Sequence, residues 1–195
     1  MKSKAIALLL ASAVLPTLLP SCATDGPITQ ANAESASASQ ISRDSRAALR
    51  SLYAQNPQAR ALGSKARGVL VFPSITKGGV VVAAQAGNGA LIFHNGEIGG
   101  YYQTTAASYG LQAGVQKFGY ALFLMDNEAF RNVNRNEGWE VGSSPSLVVV
   151  DRGVAGSLST TTIDKGSYAF FFNQRGLMGG LGLQGSKITR IYPKQ

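Results

Sequence analysis

Three patterns of hydrophobic and polar positions succeed one another along the chain. The first is a block: behind Lys2 and Lys4, residues 5–19 are apolar except for Ser12, Pro16 and Thr17. That run is shorter than the ~20 residues a helix needs to cross a ~30 Å hydrocarbon core, and no cationic stop-transfer flank follows it. It predicts a secretory signal peptide over residues 1–21 and no permanent membrane span. Residues 23–40, ATDGPITQANAESASASQ, have no apolar period; with Cys22 they predict a flexible tether over 22–40. The second pattern is helical. At about 100° per residue, Arg43, Arg46 and Arg50 share one sector while Ile41, Ala48 and Leu52 lie opposite, which predicts an amphipathic helix with a basic face. Asn56 before Pro57 reads as an N-cap followed by proline at the first helical position of a second, short helix through Ala61 and Leu62.

The third pattern has the period of strands. VLVF, GVVVAAQ, ALIFH, GYYQTT, YGLQAGVQ, YALFLM, SLVVV, YAFFFN, GLMGGLGLQG and KITRIY are short, apolar or aromatic, and punctuated by turn signals at Gly87-Asn88-Gly89 and His94-Asn95-Gly96. One helical stretch, DNEAFRNVN at 126–134, interrupts them. The expectation is a β-rich α+β fold: a single domain over 41–195, built as a closed or nearly closed antiparallel barrel or sandwich of about ten short strands, with an N-terminal amphipathic helix and a few short helices. Gly110, Gly114, Gly179, Gly180 and Gly182 fall inside strand patterns, where glycine marks a sharp bend or a close backbone approach. The run Tyr168-Ala169-Phe170-Phe171-Phe172 has no polar face, so both of its faces are expected to be covered, or one to meet a partner.

Composition changes this picture at two points. The one cysteine, Cys22, stands where the apolar block ends. Leu19-Pro20-Ser21-Cys22 resembles the lipobox of bacterial lipoproteins, in which cleavage before the cysteine accompanies acylation of its sulfur and new amino group. That resemblance implies a membrane anchor at Cys22, and Ala23 in place of Asp after it implies the outer membrane of a bacterial envelope. With no second cysteine, no internal disulfide forms within the chain. Without Lys2 and Lys4 there remain 16 basic and 10 acidic residues, a net charge of +6. Such a surface attracts phosphate groups. For an exported chain the expected source is anionic lipid and not nucleic acid.

RGVLVFPSITKGG (67–79), GNGAL (87–91), SYGLQAGVQ (108–116), NEAF (127–130) and NQRGLMGGLGLQGSKI (173–188) together resemble the SYLF domain family over residues 42–192. The family contains lipid-binding modules, among them regulators of actin patches. The resemblance implies binding of phosphoinositides and other acidic phospholipids through an N-terminal amphipathic helix and a basic surface. The matching positions here are Arg43, Arg46 and Arg50, with Lys65, Arg67 and Lys77 as further candidates. Tyr101-Tyr102 stands where the family commonly carries tryptophan, and an envelope protein meets no actin. The alternative is a non-catalytic envelope scaffold or surface antigen that binds protein partners, whose identity the sequence does not give.

Catalytic and metal chemistry find little purchase in the sequence. His94, the one histidine, lies in a turn; a Ser-His-Asp arrangement would have to use it. There is no Gly-x-Ser-x-Gly elbow, no Walker loop and no dinucleotide fingerprint. Glu137, Glu140, Asp151 and Asp164 are scattered singly through turn segments. The expectation is no enzyme, no cofactor and no metal site.

Overall fold

The computed structural model describes residues 36–134, 138–141, 147–150, 166–176 and 186–195. The signal-peptide block, Cys22 and the tether up to residue 35 lie outside the described residues, as do Glu137, Asp151, Asp164, Gly179, Gly180, Gly182 and most of GLMGGLGLQG.

Helix α1 (Ala38–Gln55) starts at the N-cap Ser37, whose Oγ accepts from the Gln40 backbone N–H at 3.2 Å. It therefore takes in residues 38–40, which the pattern had assigned to the tether. Ile41, Ser45, Ala48, Leu49 and Leu52 form its buried stripe. Helix α2 (Pro57–Lys65) is capped by Asn56, whose Oδ1 accepts from the Ala59 N–H at 3.0 Å, with Pro57 at its first position. Helix α3 (Asn127–Val133) is capped by Asp126. All three were legible as helices, α1 from its period and α2 from the cap Asn56 before Pro57, but the caps Ser37 and Asp126 were not.

The strands are fewer and longer than expected. Strand β1 (Gly68–Phe93) and strand β2 (Ile98–Leu124) pair antiparallel along their length, from Gly68↔Leu124 to Ile92↔Ile98. The turn between them contains His94, Asn95 and Gly96, and Gly96 has φ +82°. Opposite β1, the other edge of β2 takes β6 (Ser186–Ile191) at residues 101–105 and β5 (Ser167–Gly176) at residues 116–124. β3 (Trp139–Val141) adds to β6 antiparallel, and β4 (Leu147–Val150) adds to β5 in parallel.

Among the described residues this makes one six-stranded sheet whose path runs β3-β6-β2-β5-β4, with β1 on the far side of β2. Among the described residues no pairing joins its ends. The β-rich α+β class holds, but among the described residues the strands number six and not about ten, two of them very long, and the closed or nearly closed antiparallel barrel or sandwich is not found: the sheet is open and has one parallel pair. The reason is local. Glycine-rich stretches that read as strand breaks are absorbed inside continuous strands, with register shifts between Phe72/Ile75 and between Val80/Val82.

The long hairpin doubles back on itself. A Cβ at Gly87 would lie 2.7 Å from the carbonyl oxygen of Ser74, and one at Gly89 would collide with that of Val71. The end of β1 therefore crosses its own beginning at backbone contact, which only glycine permits. Alternation then sorts the core into two layers. Val69, Val71, Ile92, Ala121, Phe123, Tyr168 and Phe170 face Leu49, Leu52, Ala59 and Leu62 of the helices. Leu70, Phe72, Leu91, Tyr102, Tyr120, Leu122, Trp139 and Ile188 fill the inner side, with Ala129 and Val133 of α3 packed among them. The aromatic run of β5 is split between the layers, Tyr168 and Phe170 toward the helices and Ala169 and Phe171 inward, so both faces are covered.

Candidate functional site

The rotation of α1 about its axis decides which side chains meet solvent, and two hydrogen bonds fix it beyond the apolar stripe. Ser45 Oγ donates to the Val71 carbonyl at 3.2 Å in the buried layer, and Ser42 Oγ shares a hydrogen bond with Tyr101 Oη at 2.9 Å. With Ile41, Ala48 and Leu52 held inward, Arg43, Arg46 and Arg50 stand on the exposed side, as the helical period predicted.

Local polar contacts set how these cations are presented. Arg43 Nη2 donates to Gln40 Oε1 at 2.6 Å, and Gln40 Nε2 donates to both carboxylate oxygens of Asp44, at 2.9 and 2.8 Å. Asp44 is the one acid on the helix, and its charge is engaged by this relay. Arg46 and Arg50 form no ion pair or hydrogen bond among the described residues, leaving both guanidinium groups open to an incoming anion.

The corner between the first two helices is rigid. Tyr53 leans across Gly63, where any Cβ would strike its ring and hydroxyl, and packs on Phe123 with ring centroids 6.3 Å apart. Burial pushes the Tyr53 phenol up to about 12. Arg60 Nε donates to the Tyr53 carbonyl at 3.3 Å. Lys65 lies in the last turn of α2, where its charge complements the helix dipole. Arg67 follows, its backbone N–H bonded to the Leu124 carbonyl at 2.9 Å. Both side chains are exposed.

Lys77 stands apart from these five. It lies on β1 opposite Gln116 and is only 6% exposed, so it contributes nothing to the open cationic face. Its burial was not legible beforehand, because a lysine in a strand pattern reads as solvated.

Two residues at the opposite end of the chain were not singled out by the sequence. Tyr192 is 86% exposed, and the Arg190 guanidinium carbon lies 5.8 Å from its ring centroid. The alternation of KITRIY announced a strand but could not announce which of its side chains the fold would leave uncovered. His94 and Glu97 are exposed around the hairpin turn, and among the described residues no group of three or more His, Cys, Asp or Glu side chains gathers.

No curated protein matches the chain in sequence. Residues 105–192 match the model of the family described as Ysc84, Las17-binding protein actin regulator. The matched segment begins within β2 and holds SYGLQAGVQ, NEAF and NQRGLMGGLGLQGSKI; α1, α2 and β1 precede it. The SYLF resemblance carried by those motifs is thereby shown over residues 105–192, a segment similar to the Ysc84 family.

Proposed function

We propose that this chain is a non-catalytic envelope lipoprotein, held in the outer membrane through acylated Cys22, whose SYLF domain binds phosphoinositides or other acidic phospholipids on the exposed face of α1. The observation that carries this reading is the presentation of Arg43, Arg46 and Arg50 on one rigidly seated helix face. Guanidinium groups pair phosphate oxygens bidentately, and a basic amphipathic helix suits an anionic surface. Lys65 and Arg67, at the far end of the helical pair, extend the cationic surface.

The proposed anchor fits the same placement. Fourteen residues separate Cys22 from Ser37; as a flexible tether, that length would have an r.m.s. span of roughly 20 Å. The domain would therefore stay within a few nanometres of the bilayer, where even modest headgroup affinity is effective. A second reading keeps the anchor but gives the surface to a protein partner; the family description, which names a protein that its members bind, favours it. Vesicle sedimentation of residues 23–195 separates the two. Headgroup binding predicts pelleting with acidic vesicles, little with phosphatidylcholine alone, and release as salt rises; a protein scaffold predicts indifference to lipid composition.

A further inference from the structure

The described residues leave two large apolar side chains well exposed, Val115 at 59% and Tyr192 at 86%. Tyr192 has a cation over its ring. The Arg190 guanidinium sits over its ring, with Nη1 3.5 Å from Asn134 Oδ1 and Nη2 3.5 Å from the Gly99 carbonyl. A Cβ at Gly100, the next residue, would lie only 3.3 Å from Nη2. The cation is thus wedged against the backbone at the start of β2 and presents the tyrosine beside it.

The position of this pair matters as much as its chemistry. Two residues on, the Lys194 carbonyl accepts from the Ala38 N–H at 2.8 Å. The strip 190–194 therefore abuts the first turn of α1, where the chain arriving from Cys22 enters the fold. An anchor at Cys22, fourteen residues before Ser37, would keep this rim close to the surface it is fixed to.

We propose that Tyr192, with Arg190 and Lys194, is an interfacial contact that seats this rim in the headgroup layer of the bilayer. The inference rests on the membrane-anchored reading above and adds a second point of attachment, distinct from the arginine face of α1. A tyrosine ring has an apolar body and a polar tip and settles at the level of lipid headgroups. Arginine beside it supplies a fork for phosphate. Two points of contact, one on α1 and one at the rim, would fix the orientation of the domain where a single patch would let it pivot.

The test is depth-dependent quenching. Tyr192→Trp is made in residues 23–195, and fluorescence is read on vesicles of phosphatidylcholine and phosphatidylglycerol carrying either headgroup-level or deep acyl-chain quenchers. Trp139, buried at 4% exposure, is the internal control, measured in the unsubstituted protein. The new indole is expected to shift to the blue and to be quenched by the shallow quencher more than by the deep one. Tyr192→Ser is expected to weaken vesicle binding about tenfold, as loss of a buried ring implies, with an unchanged melting temperature. If the new indole stays unquenched while the protein still binds acidic vesicles, the rim contact is wrong and the headgroup reading stands. If neither protein binds acidic vesicles, both fail together.

Discussion

Asp126 holds together two parts of the chain far apart in sequence. One carboxylate oxygen accepts from the Ala129 N–H at 2.8 Å, capping α3, and the other accepts from the Gly166 N–H at 2.7 Å, just before β5. Partial burial by itself would raise its pKa, but the backbone donors of Ala129, Gly166 and Glu128, together with the charge of Arg131, outweigh burial and lower it below 3.8. A carboxylate depressed in the folded state stabilises the fold fully above its unfolded pKa, and that stabilisation is lost as pH falls through the folded value. Asp126→Ala is therefore expected to cost about 1–2 kcal/mol at neutral pH, read by urea unfolding. The gap between variant and parent should close on acidification below the ordinary carboxylate range; a gap independent of pH would mean that the charge is not involved. Tyr120 presents the opposite case. Its ring stacks between Phe72 and Phe171, at 5.7 and 5.4 Å, while its buried hydroxyl has no hydrogen-bond partner among the described residues, and burial raises its pKa far above the ordinary phenol range. Tyr120→Phe keeps the packing and removes an unsatisfied polar atom, so the melting temperature should hold or rise.

The long hairpin shows where sequence patterns mislead. Gly87-Asn88-Gly89 has the composition of a turn, yet it lies inside β1 because two backbones meet there. Glycine answers both demands, for a left-handed turn and for close approach, and the sequence does not say which. His94-Asn95-Gly96 carried the same signal and is a turn, with Gly96 in the left-handed region. A direct check is Gly89→Val, whose side chain would enter the space of the Val71 carbonyl and the Phe72 ring. Overpacking of this kind typically costs about 1–3 kcal/mol. The substitution should destabilise by at least that much in urea unfolding, whereas a flexible turn at 87–89 would tolerate it. Helices were easier to read, since Asn56 before Pro57 is a side-chain cap and the stripe of α1 follows the helical period. Arg43, Arg46 and Arg50 were legible for the same reason. Lys77 and the Arg190–Tyr192 pair were not, because burial and exposure at those positions depend on how strands distant in sequence come to lie beside them.

Seen as one object, the described part of the protein couples a folded sheet with two helices on one of its layers. The first turn of α1 lies against residue Lys194, so basic helix and aromatic rim adjoin. The lipobox-like Leu19-Pro20-Ser21-Cys22 predicts that Cys22→Ser abolishes acyl labelling of the chain and releases it from the membrane fraction after high-salt washing. Retention of the label would place the modification elsewhere. The headgroup proposal stands or falls on three arginines, and one titration reaches it directly: binding of residues 23–195 to vesicles of phosphatidylcholine mixed with an acidic phospholipid or a phosphoinositide, compared with the Arg43→Ala, Arg46→Ala, Arg50→Ala triple variant. Each cation near an anionic surface contributes about 1 kcal/mol, so the triple variant should bind about 100-fold more weakly while its melting temperature stays unchanged. Equal binding by both proteins would contradict the proposed site, and no binding by either would contradict the proposed function.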